Sequence, residues 1–122
     1  MTDPKKRILI VDDEKGVTAT FCRLLELSGY QIEEAHSGSE GFRRLMGGQF
    51  DLVLLDYMMP DIHGDKVCEM IRSEERLKDL PVIIITAYHE QTESRLKAWG
   101  ATEVLYKPVG SEDILAVIQK FI

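Results

Sequence analysis

Five short apolar runs, each followed by an amphipathic stretch, limit most strongly what this chain can fold into. The runs are Arg7–Val11, Gln31–Ala35, 52–55, Val82–Thr86 and Glu103–Tyr106. Residues 8–11, 52–55 and 82–85 are unbroken β-branched or leucine stretches, without the alternation of a half-solvated strand. Such continuous runs suit parallel strands covered on both faces. Gln31–Ala35 is more polar and belongs at a sheet edge.

The intervening stretches read as helices. Val17, Phe21, Leu24 and Leu25 fall on one face, and Gly29 is placed to end that helix at the C′ position. Ser37 with Glu40 three residues on predicts a capping box ahead of Phe42, Leu45 and Met46, with Gly47 and Gly48 closing the helix. Val67, Met70 and Ile71 mark a third helix, and Pro81 bars helix before the fourth run. Residues 89–99 are polar except for Leu96, Ala98 and Trp99, which predicts the least firmly held helix. Ile114, Leu115, Val117, Ile118 and Phe121 line the last one. Five βα units in succession imply a doubly wound, flavodoxin-like α/β fold: a parallel five-stranded sheet in the order 2-1-3-4-5, with helices on both faces.

The chain has 122 residues, enough for one domain over 1–122 and too few for two ordinary ones. A hydrophobic share of 44% with 30% charged residues is globular composition. The net charge of −6 argues against direct nucleic-acid binding, because phosphate backbones select basic faces, but leaves room for an acidic site holding a cation. No apolar run approaches the roughly 20 residues that span a bilayer, and no secretory h-region precedes Asp12, so a cytoplasmic protein without membrane contact is expected. Cys22 and Cys68 fall inside helical patterns far apart and without a CxxC pair, and read as reduced core residues. The apolar last residues, Phe121 and Ile122, suit a stand-alone domain or one from a longer protein.

In open α/β sheets ligands bind beyond the carboxyl ends of the strands, at the switch in strand order. The first run ends in Asp12, Asp13 and Glu14, the third in Asp56, the fourth in Thr86, and the fifth in Lys107 and Pro108. Alone, each has a plainer reading: acids at a helix start, a turn aspartate, a strand-end threonine, a solvated lysine. Together they place clustered carboxylates opposite a hydroxyl and an ammonium. Clustered carboxylates repel one another unless a cation neutralises them, and an all-oxygen, open ligand set suits Mg2+. Asp56 could then act as an ionised nucleophile in phosphoryl transfer, which asks a protein mainly for positioning and charge neutralisation.

These residues resemble the receiver (CheY-like) domain of two-component response regulators, over residues 8–122. The resemblance is carried by the apolar run before Asp12, Asp13 and Glu14, by 56–64 (Asp-Tyr-Met-Met-Pro-Asp-Ile-His-Gly), by Thr86 and Ala87, by Gly100 and Ala101, and by Lys107 and Pro108. It implies that Asp56 is the phosphoacceptor. It further implies that Asp13, Asp56 and the backbone carbonyl of Met58 ligate Mg2+, with Asp12 acting mainly through metal-bound water. Thr86 would bind a phosphoryl oxygen and Lys107 the phosphoryl group, after a cis Lys107–Pro108 bond, and Gly64 would allow the turn after the third strand. The donor would be a sensor histidine kinase or a phosphotransfer protein. The surface of the fourth helix, fifth strand and fifth helix would meet an output domain or effector protein, or a second copy in a homodimer. The protein would be no enzyme in the ordinary sense, assisting only its own phosphorylation and slow dephosphorylation.

Two departures stand out. The family often carries an aromatic residue three positions before the lysine, where this chain has Val104; Tyr106 or Tyr88 is a candidate to take over its part. Met58 and Tyr88 fall where the family tunes the attacking water, and their bulk predicts slow self-hydrolysis. Three rival readings fare worse. An aspartyl-phosphate phosphatase would need a second acid at Met58 and a cap. A phosphorylation-independent pseudo-receiver would lack members of the acid, aspartate and lysine set. A flavin protein would need a Ser/Thr/Gly-rich loop after the first run.

Overall fold

The structure, a computed structural model, describes residues 5–87 and 93–122, with the side chains of 15–20 and 93–94 left aside. The elements alternate as β1 (Arg7–Val11), α1 (Lys15–Leu27), β2 (Gln31–Ala35), α2 (Gly38–Gly47), β3 (Leu52–Asp56), α3 (Gly64–Arg72), β4 (Val82–Thr86), α4 (Glu93–Ala98), β5 (Glu103–Tyr106) and α5 (Ser111–Phe121). All strand pairs are parallel, in the order β2-β1-β3-β4-β5. The apolar runs therefore became strands as expected, with β3 extended by one residue to include Asp56.

Side chains along each strand alternate between two cores. Leu9, Val11, Val53, Leu55, Val82, Ile84 and Val104 meet α2, α3 and α4 through Leu45, Val67, Ile71 and Leu96. Ile8, Ile10, Leu52, Leu54, Ile83 and Ile85 meet α1 and α5 through Leu25, Ile114 and Ile118. Every residue of β3 and β4 is buried, which is why their sequence shows no polar alternation. β2 is an edge strand and exposes Gln31; Arg7 and Arg44 pair with its Glu33, charges that discourage strand addition. Cys22 and Cys68 are buried in opposite cores and are free, as the spacing suggested.

The helix ends show where local sequence decided geometry. Gly29 takes φ 99°, its N–H donating to Glu26 and that of Tyr30 to Leu25, a Schellman ending of α1. Gly100, at φ 116°, ends α4 likewise, with Ala101 N–H donating to Leu96. The capping box of α2 is half realised. Ser37 Oγ accepts from Glu40 N–H at 3.2 Å, but the Glu40 carboxylate accepts from His36 N–H at 3.3 Å, one residue short of Ser37. Gly48 caps α2 in an extended conformation rather than a left-handed one. The expected helix over 89–99 begins outside the described residues, and its described part is α4.

Arg72, at the last turn of α3, ties the sheet's far side together. Its guanidinium donates to the carbonyls of Lys78 at 3.0 Å, Leu80 at 2.7 Å and Gly100 at 3.0 Å, and to Thr102 Oγ1 at 3.2 Å. Thr102 Oγ1 in turn accepts from Val82 N–H at the start of β4. Arg72→Ala is expected to lower unfolding stability by about 2 kcal/mol, since several part-buried carbonyls lose their donor at once. Urea denaturation checks this; a variant of parent stability would show these bonds to be replaceable by water.

Candidate functional site

Asp56 is the last residue of β3, Asp12 and Asp13 follow β1, Thr86 ends β4 and Lys107 follows β5. Since β1, β3, β4 and β5 are laid side by side in that order, the topology alone brings these residues to one end of the sheet. Carboxylate oxygens of Asp12, Asp13 and Asp56 lie within 4.8 Å of one another, a spacing that could hold one cation. Asp12 and Asp56 are 7% and 6% exposed, whereas Asp13 is open to solvent. Lys107 Nζ stands 3.2 Å from Asp56 Oδ1. The Lys107–Pro108 peptide is cis. Thr86 is buried, its carbonyl accepts from Lys107 N–H at 2.8 Å, and it pairs with Tyr106 across the β4–β5 ladder.

The electrostatics follow from this crowding. Burial, and then the neighbouring Asp12 charge, push the Asp56 carboxyl up to about 6, against the pull of Lys107. Burial also raises Asp12, helped by Asp13 and Glu14 and opposed by the Glu14 N–H and Lys107. Burial works against the Lys107 ammonium, but the adjacent Asp56 carboxylate, with Asp12 and Glu14, outweighs it and holds the ammonium above its ordinary range. Three carboxylates against one ammonium leave a local excess of negative charge that a divalent cation would neutralise. Oxygen-only donors, part buried and part solvated, fit Mg2+, which keeps waters in its shell. A cleft of about 440 Å³ adjoins the cluster, lined by the polar Asp12, Asp56 and Lys107 and by the apolar Phe21, Ile85 and Val109 among others.

Gly64 serves the site in a way different from the one expected. Its φ is not positive; instead its N–H donates to Tyr57 O at 2.7 Å, and a Cβ there would lie 3.0 Å from both Asp56 O and Tyr57 Cα. The glycine is needed for close approach of α3 to the end of β3, not for a left-handed turn. Asp61 is a second residue whose place sequence reasoning did not give. Its carboxylate accepts from Gly38 N–H at 2.9 Å and Ser39 N–H at 3.0 Å, closing the N-terminus of α2 from another loop. The Ser39 hydroxyl and these amides hold the Asp61 carboxyl well below the usual carboxylate range. An aspartate five residues after Asp56 was the available signal, but nothing local marks so distant a partner.

With the geometry in view, the comparisons are specific. Residues 8–119 match the response regulator receiver domain family. The chain belongs to that family. It is 35% identical over 115 residues to the DNA-binding dual master transcriptional regulator RpaA of Synechocystis sp., covering 93% of this chain and 47% of that protein. It is 38% identical over 112 residues to the response regulator MprA of Mycobacterium ulcerans, covering 90% and 47%. This receiver domain thus spans about half the length of those relatives. Its fold matches TrrA of Thermotoga maritima, solved in complex with Mg2+ and BeF, with TM-score 0.86 and 35% identity over 96% of this chain and 99% of that one. A CheY-like receiver domain protein from Methanospirillum hungatei matches with TM-score 0.89 and 30% identity, over 96% and 93%.

The family's departures take structural form here. Val104 is 7% exposed and lies in the core beneath α4, pairing with Ile84. Tyr106 packs against the same core, so the two share a face, as strand period required. Met58 is 40% exposed and stands toward solvent, while Tyr88 lies outside the described residues. Among the described residues no helix is long and apolar enough to cross a membrane.

Proposed function

We propose that this receiver domain takes a phosphoryl group onto Asp56 in a Mg2+-dependent step and so switches a partner surface. The observation that carries the reading is the Asp12, Asp13 and Asp56 cluster with Lys107 at 3.2 Å from Asp56. Asp12, Asp13, Asp56 and the Met58 carbonyl would hold Mg2+, which supplies charge neutralisation for the transferring group. Asp56, ionised at neutral pH, attacks phosphorus with a carboxylate oxygen. The bond from phosphorus to the donor's nitrogen or oxygen breaks, and its electron pair leaves with the donor. Lys107 follows the negative charge from the Asp56 carboxylate to the phosphoryl oxygens. Thr86 donates its hydroxyl to a second phosphoryl oxygen.

The donor class is a phosphohistidine on a sensor kinase or a phosphotransfer protein, and a small acyl phosphate offers the same reacting group. Tyr106, beside Thr86 on the ladder and only partly buried, would register a movement of Thr86 in place of an aromatic at Val104. The responding surface is α4, β5 and α5, where Trp99 and Phe121 remain 40% and 37% exposed. It would meet an output domain or effector protein, or a second copy of the chain. The domain would work in the cytoplasm and make no direct nucleic-acid contact, consistent with its charge of −6.

Incubation with a small acyl phosphate and Mg2+ is expected to give an acid-stable, base-labile phosphoryl adduct that chelation abolishes and Lys107→Ala strongly slows. An adduct indifferent to chelator would overturn the assignment of the acid cluster.

A further inference from the structure

Asp12 is held at both backbone groups and at its carboxylate. Its N–H donates to Ala35 O at 3.0 Å, its Oδ1 accepts from Glu14 N–H at 2.9 Å, and its carbonyl faces His36 Nδ1 at 3.0 Å. Only the last of these partners is a side chain from another element. A carbonyl oxygen can only accept, so Nδ1 carries the proton and donates. The contact has a topological origin. β1 and β2 pair in register from Arg7↔Gln31 to Val11↔Ala35, and β2 then turns away at His36 toward the Ser37 cap of α2. A strand that ran on would offer a peptide N–H to the next carbonyl of β1. The imidazole supplies that donor instead.

We propose that His36 is a positioning residue for the acid pair. The peptide plane is rigid, so fixing the Asp12 carbonyl also fixes the nitrogen of Asp13 and the direction in which Asp13 leaves the strand. Both carboxylates are thereby held toward Asp56 although the three repel one another. The backbone that carries the ring is itself braced from α2: Glu40 accepts from the His36 backbone N–H at 3.3 Å, and Arg44 Nε donates to Glu40 at 3.2 Å. With Asp61 closing the same end of α2, one corner of the fold anchors both the loop of Asp12 and Asp13 and the loop that follows Asp56. An anchored acid pair loses less freedom on taking a cation, so His36 raises Mg2+ affinity without touching the ion.

This inference rests on the Mg2+-dependent reading above, and titration calorimetry with Mg2+ alone tests it without any turnover. His36→Ala is expected to weaken Mg2+ binding by roughly tenfold, the lower end of what such outer partners cost. His36→Asn should restore it, because the Asn amide nitrogen sits as many bonds from the backbone as Nδ1. His36→Gln, whose amide reaches one bond further, should stay weak. In phosphorylation by an acyl phosphate, H36A should need more Mg2+ yet reach the parent's rate at saturation. A merely structural role would lower the melting midpoint of H36A and leave Mg2+ affinity alone. H36A with the parent's affinity, or H36N as weak as H36Q, overturns the inference; the H36N against H36Q contrast stands even where H36A does not fold. A parent protein that binds no Mg2+ overturns the phosphoacceptor reading itself, and the two failures are thus distinct.

Discussion

The Asp56→Asn protein will be more stable than the parent at pH 7, and it will take up no phosphoryl group. The folded protein holds the Asp56 proton up to a pH of about 6, whereas the unfolded chain releases it near the ordinary 3.8. Between these values the native state binds more protons than the unfolded one, so stability falls as pH rises. This carboxyl therefore favours folding most below the unfolded value, and its contribution is lost as pH climbs through about 6. Asparagine keeps the shape and removes the charge, so the variant should gain about 3 kcal/mol at pH 7 and far less at pH 4. Asp12, raised for the same leading reason of burial, adds pH dependence of the same sign to both proteins. Mg2+ should narrow the difference, because it binds the parent's full carboxylate set and so stabilises the parent more. Urea unfolding at the two pH values, with and without Mg2+, measures all of this. A variant less stable than the parent at pH 7 would mean that the Lys107 ion pair outweighs the burial of the carboxylate.

Gly64→Val is expected to cost about 3 kcal/mol of stability and to impair the site at the same time. The new Cβ would meet Asp56 O and Tyr57 Cα at 3.0 Å, and both are backbone atoms with no rotamer through which to yield. Relief requires α3 to retreat from β3, which breaks the 2.7 Å bond from Gly64 N–H to Tyr57 O and moves the residues that follow Asp56. Gly64→Ala should show the same loss in lesser degree, and both variants should bind Mg2+ more weakly. Denaturation curves with Mg2+ titrations check the pair; a Gly64→Val protein of parent stability would show that the turn 57–63 can shift freely.

What could be read from the chain and what could not divides along the range of the interactions. Strands such as Val82–Thr86 were legible because a parallel strand buried on both faces admits no polar interruption. The candidate site was legible for a related reason. Asp12, Asp13, Asp56, Thr86 and Lys107 each follow or close such a run, and the strand order of a doubly wound sheet converts those separate ends into one place. The Schellman ending at Gly29 was equally local, set by one glycine at the end of an apolar stripe.

The remainder depended on side chains that reach across the fold to backbone groups, and such bonds leave no period in a sequence. Asp61 closes a helix that begins 23 residues earlier in the chain. His36 completes a ladder that its own strand abandons, and Arg72 gathers carbonyls from two separate turns. Gly64 was recognised as necessary, but for conformational freedom rather than for the space taken by the end of β3. Val104 read as an absence, a missing aromatic residue. In the fold it is a core residue paired with Ile84, while the aromatic of that strand stands two positions on, next to Thr86.

Reductive trapping gives the most direct test of Asp56 as phosphoacceptor. The protein is incubated with Mg2+ and a small acyl phosphate, treated with borohydride, and its peptides are mapped by mass spectrometry. Hydride displaces phosphate from an aspartyl phosphate and reduces the acyl carbon to an alcohol, leaving homoserine in place of the aspartate. The expected result is homoserine at position 56 alone, with no conversion when chelator is present. Conversion at Asp12 or Asp13 instead, or none anywhere in a folded protein that binds Mg2+, would contradict it.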